Sequence, residues 1–213
     1  MINNLKEKII NTKFKKNMMS SEYELDFLKE IANIGLGHAA TGLSNMISER
    51  VDISLPQISI ISLENIVGMK VEEVCVVKTG FSGEIKGALL IVLSNKTSFW
   101  LIDKMMGNNT NTTLEYNDMG KSAVKEFTNI IGGAFLTSIS NFMDYRLMPK
   151  IPEMFTGKGF KIKTEFEKSI KHESEDVIYV KTQIFVDKKQ IEAELYLLLD
   201  KTSFEAMFSR MNK

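Results

Sequence analysis

Two stretches of the chain carry apolar or small residues at helical spacing. In residues 23–48 these are Leu25, Leu28, Ala32, Gly35, Ala39 and Met46, and in residues 119–144 they are Val124, Ile131, Phe135 and Phe142. Each set keeps one face inward and predicts a long helix. The period then changes. β-Branched runs at 58–62, 73–81 and 85–93, and again at 177–186 and 191–199, predict strands. Tight turns are expected at Ser82-Gly83 and Asp187-Lys188. Shorter helices are predicted over 96–106 and 201–211. The order reads α-β-β-β-α twice, with antiparallel strands.

The two halves share residues as well as pattern. Asp26-Phe-Leu-Lys-Glu30-Ile-Ala-Asn33 recurs 96 positions later as Ser122-Ala-Val-Lys-Glu126-Phe-Thr-Asn129. Each Asn is followed after 22 residues by a proline, Pro56 or Pro152. Lys96-Thr-Ser-Phe99 returns as Lys201-Thr-Ser-Phe204 at an offset of 105, so nine more residues lie between the markers in the second half. The polar stretch 156–176 is the expected loop or hairpin that holds them. Neither half alone covers both faces of a sheet. The expected fold is therefore α+β: an internally duplicated α-β-β-β-α repeat, residues 21–108 and 114–213, fused into one pseudo-twofold domain. It would carry an antiparallel sheet and two long surface helices.

Composition narrows the function classes. The 213 residues carry 27 Lys+Arg against 27 Asp+Glu, which argues against a basic surface for nucleic acid. The single cysteine, Cys75, can form neither an internal disulfide nor a zinc-thiolate cluster, and it points to a reducing, cytoplasmic compartment. Its expected role is a buried small hydrophobe. The apolar run 88–93 is far short of the roughly 20 residues a membrane span needs, and no secretory h-region opens the chain. Residues 1–20 form a local basic arm, with Lys6, Lys8, Lys13, Lys15 and Lys16 against Glu7. A flexible extension is expected there, an amphipathic surface helix being the alternative. His38 and His172 are too few for a metal site or a triad.

At about 100° per residue, positions i, i+4 and i+7 span an arc of about 60°. Asp26, Glu30 and Asn33 thus share one helical stripe, as do Ser122, Glu126 and Asn129. A lone Glu on a helix is ordinarily a solvated surface group, and Asn is a poor helix former because its amide competes with the backbone. What sets these apart is that the residues between them differ in the two halves while Glu and Asn are identical. A Glu and an Asn lack the nucleophile or second carboxylate of a self-contained hydrolase. An amide can, however, align a water when a partner supplies phosphate and metal, since phosphoryl transfer needs mainly positioning and charge stabilisation. The small residues after each Asn (Gly35, Gly37, Ala39 and Ala40; Gly132, Gly133 and Ala134) suit either close helix packing or approach by a partner's backbone.

The pattern Ser/Asp-x3-Glu-x2-Asn-x22-Pro, present twice between Ser21 and Lys213, resembles the CheC/CheX/FliY family of chemotaxis phosphatases, and its two-site arrangement is most like CheC. The resemblance implies dephosphorylation of the phospho-aspartate on the response regulator CheY. Glu30, Asn33, Glu126 and Asn129 would be the catalytic set. In that assignment Asn33 and Asn129 align water, and Glu30 and Glu126 pair with the regulator's active-site lysine. Asp26, Ser122, Pro56 and Pro152 would support the motif. No metal would belong to this chain, Mg²⁺ being carried by the regulator. The alternative is a non-catalytic adaptor that binds phospho-CheY or the deamidase CheD. FliY-type identity is disfavoured because no chain remains after Lys213 for a switch domain. CheX-type identity is disfavoured because two motifs in one chain make a monomer sufficient.

Overall fold

In the computed structural model, residues 2–62, 73–109, 112–159, 161, 162, 164, 176–187 and 189–211 are described. The elements are α1 (Ile2–Ile47), β1 (Val51–Ile53), β2 (Gln57–Ser62), β3 (Glu73–Gly83), β4 (Gly87–Ser94) and α2 (Asn95–Met106). After them come α3 (Asp118–Met143), β5 (Leu147–Pro149), β6 (Glu153–Lys158), β7 (Asp176–Val186), β8 (Lys189–Leu199) and α4 (Lys201–Met211). The fold is α+β with an antiparallel sheet, as the hydrophobic pattern predicts.

Four details differ from expectation. The backbone of α1 is helical from Ile2 rather than from residue 23, so it runs through the basic arm. The three-residue strands β1 and β5 are too short to leave a periodic signal. β6 occupies 153–158, where a loop or hairpin was expected from residue 156. It is a half-exposed Glu-Met-Phe-Thr-Gly-Lys strand with no alternating apolar pattern, held by pairing along β3. The first hairpin turns at 84–86, beyond the expected Ser82-Gly83, because β3 continues past its last pair with β4, Phe81↔Gly87, to pair Gly83 with Leu147 of β5. Gly83 sits at φ +149, where a Cβ would fall 1.9 Å from the Arg146 carbonyl oxygen, so only glycine fits. The second hairpin matches expectation: Val186 pairs with Lys189, and Asp187 takes the positive φ of the turn.

The eight-stranded sheet has the order β1-β7-β8-β4-β3-β5, with β2 also on β7 and β6 also on β3. β4 and β8 pair at its centre, from Gly87↔Leu199 to Val92↔Glu194. The outer strands are exchanged between halves: β1 and β2 pair with β7 of the second half, and β5 and β6 with β3 of the first. β4 is buried on both faces, which explains its unbroken apolar run. Leu89, Ile91 and Leu93 pack beneath the helices, while Leu90 and Val92 join Val74, Val76, Tyr196 and Leu198 in a second cluster on the opposite face. The helix-side cluster is completed by Leu28, Ile31 and Leu43 of α1 and by Val124, Phe127 and Ile139 of α3.

The connection from α2 to α3 is pinned at two points. Tyr116 donates its hydroxyl to Asn95 Oδ1 at 2.9 Å and is also hydrogen-bonded to the Ser98 hydroxyl. Asp103, fully buried near the end of α2, accepts from the Thr112 amide and hydroxyl, both at 2.9 Å. It also accepts from the Thr113 amide at 3.1 Å and the Thr113 hydroxyl at 2.5 Å. Burial alone would raise its pKa, but these bonds from Thr113 and Thr112 outweigh it and lower the carboxyl from 3.8 to about 2. Because the folded value is depressed, the stabilisation is present above the unfolded pKa and is lost as pH falls through the folded one. Asp103→Ala should therefore destabilise the fold by roughly 2–4 kcal/mol at pH 7, the donors being left buried and unpaired. In denaturant titrations, the gap between wild type and variant should shrink as pH falls from about 4 towards 2.

Candidate functional site

α1 and α3 lie antiparallel over the sheet. Phe27 meets Phe142 edge-on at 5.6 Å, Gly35 faces Ala134, Phe135 and Ser138, and Gly42 faces Ile130. In this register Asn33 and Asn129 flank the crossing, roughly 13 Å apart along the helices at 1.5 Å rise per residue, with the glutamates farther out at roughly 22 Å. The structure therefore places both stripes on one two-helix surface, but as two separate sites at opposite ends of it.

Glu30, Asn129, Glu126, Ser122 and Asp26 are exposed, and Asp26 pairs with Lys29 at 2.7 Å one turn along. Asn33 is different. It is half-buried, and its Oδ1 is enclosed without a hydrogen-bond partner. Ser138 Oγ, on the facing stretch of α3, is also buried and unpartnered. An unsatisfied buried polar atom costs about 1–3 kcal/mol, so each requires a reason to persist. Pro56 and Pro152 are half-buried and directly precede the edge strands β2 and β6. A strand's first position is one that a residue without an N–H can occupy.

The glycines fall into two environments, at different positions. A Cβ on Gly35 would come within 3.0 Å of the Phe135 Cα, and one on Gly42 within 2.9 Å of an Ile130 methyl, so these two permit close helix approach. Cβ atoms on Gly37 and Gly133 would find nothing within 4 Å. Between the two Asn residues the surface is therefore low and open, bordered by exposed His38, Thr41 and Thr137. Cys75 is buried as expected, and burial pushes its thiol up to about 12. Sequence reasoning passed over Leu55 and Ile151, which precede the two motif prolines and are 80% and 87% exposed. Their signal was the same 96-residue offset.

Comparison with known proteins bears on what this surface is. A family model described as "Chemotaxis phosphatase CheX" matches residues 74–179, and the "CheC-like family" matches residues 24–60, a span that includes Glu30, Asn33 and Pro56. The chain is thus similar to the CheC/CheX/FliY family of chemotaxis phosphatases. CheY-P phosphatase CheC of Bacillus subtilis (strain 168) is 25% identical over 197 residues, covering 88% of this chain and 93% of that protein. The flagellar motor switch phosphatase FliY of the same organism is 27% identical over 128 residues, 60% of this chain and 34% of that protein. Among solved structures, Thermotoga maritima FliY superposes with a TM-score of 0.74 at 23% identity, covering 89% of this chain and 96% of that one, and so shares the fold. Among the described residues, no helix is long and apolar enough to cross a membrane.

The helix interface makes a paired prediction. Gly35→Ala gains helix propensity but drives a Cβ into backbone, and should destabilise by roughly 1–2 kcal/mol net. Gly37→Ala meets no neighbour and should stabilise by roughly 0.5–1 kcal/mol. Thermal or urea denaturation of the two variants checks the opposite signs.

Proposed function

We propose that this chain hydrolyses the phospho-aspartate of a CheY-type response regulator at the two Glu/Asn stripes. The observation that carries the reading is the identical Glu and Asn pair on each of two adjoining surface helices, in a chain similar to a chemotaxis phosphatase family. A water attacking an acyl phosphate must point its lone pair at phosphorus. An amide oxygen achieves this by accepting a hydrogen bond from one of the water's O–H groups, so Asn129 and Asn33 align the nucleophile for in-line attack. The transition state is loose, with charge on the phosphoryl oxygens, and its stabilisation falls to the regulator's own lysine and Mg²⁺. Glu126 and Glu30, one turn away and exposed, dock that lysine. Asp26 and Ser122 extend the stripe, and Pro56 and Pro152 fix the chain where it enters the sheet.

With phosphorylated regulator and Mg²⁺, the double variant Asn33→Ala/Asn129→Ala should lose about 100-fold or more in phosphate release while retaining its circular dichroism and regulator binding. A loss below about tenfold would rule out water alignment by these amides. Complex formation without turnover in the wild type would favour the adaptor reading, with phospho-CheY or CheD as the bound partner. Glu30→Gln/Glu126→Gln should act mainly on KM, and the wild-type KM should rise with ionic strength because docking is by exposed charges.

A further inference from the structure

We infer that the two stripes are inequivalent: Asn129 is presented open to a partner, whereas Asn33 is held with its amide oxygen enclosed, so the second site carries most of the turnover. What the sites do rests on the phosphatase reading, but the enclosure is a property of the free chain. Asn129 is exposed, while Asn33 is half-buried with its Oδ1 enclosed and unpartnered. Asn33 lies two residues, about 200° of helical rotation, from Gly35, so its enclosure is on the flank of α1 turned away from the Gly35 contact with α3.

The chemistry makes this matter, because a water is aligned by the amide oxygen, and the enclosed atom of Asn33 is that oxygen. Asn33 must turn its amide over or change rotamer before it can act, whereas Asn129 needs no such step.

Two measurements test this. Asn33→Cys and Asn129→Cys, made separately in the full chain, are titrated with 5,5′-dithiobis(2-nitrobenzoate). Native Cys75 is buried, so the wild type provides a silent background. The thiol at 129 should react at least tenfold faster than that at 33, and equal rates would overturn the enclosure. Separately, Asn129→Ala should lower phosphate release from phosphorylated regulator at least tenfold and Asn33→Ala less than threefold. Equal losses, or the larger loss at Asn33, would overturn the inference. If the wild type releases no phosphate, the phosphatase reading fails, and the labelling ratio still decides whether Asn33 is enclosed.

Discussion

The architecture depends on an exchange of sheet edges. Backbone N–H and C=O groups in a sheet must be paired, and here the short strands of each half complete the long outer strand of the other. β1 and β2 lie along β7, and β5 and β6 along β3. Either half alone would leave β3 or β7 with an unpaired edge, and its own short strands without a partner. The exchange and the central β4–β8 pairing join both halves in one sheet. α1 and α3, each feeding the strand pair that crosses over, are thereby laid antiparallel against each other. The two-helix surface exists only because the halves are joined in this way.

That surface combines packing with presentation. The inward faces of α1 and α3 carry residues such as Ile31, Leu43, Phe127 and Ile139 into the core, which holds the helices rigidly on the sheet. The outward stripes are then fixed in direction without any bonds among themselves. Asn and Glu on a helix bound to a sheet lose little further freedom when a partner arrives, and this preorganisation suits a catalyst that works by alignment. The exception is Asn33, whose Oδ1 is enclosed without a hydrogen-bond partner. Such unsatisfied groups concentrate at functional sites, where a cost in stability is tolerated.

Much of this was legible in the residues. The helices, the long strands and the α+β class followed from period: apolar residues at helical spacing, then β-branched runs. The stripes at Asp26, Glu30 and Asn33 and at Ser122, Glu126 and Asn129 followed from helical geometry together with an internal comparison of the halves. The strands β1, β5 and β6 were not legible. Three residues carry no period, and a Met-Phe-Thr-Gly-Lys edge strand owes its conformation to its neighbour β3 rather than to its own propensities. The hairpin after β3 was misplaced for a related reason, since the strand is prolonged by a pairing with β5 that lies 64 residues away at Gly83↔Leu147.

The sequence by itself determined which side chains share a helical face, because that depends only on the 3.6-residue turn. It therefore determined that Glu and Asn appear as two matched pairs. Only the tertiary structure decided that the pairs occupy opposite ends of one surface, and that their environments differ. The first of these depends on the register in which the two helices approach, which is set at Gly35, Phe135 and Ser138, residues far apart along the chain and adjacent only when the helices cross.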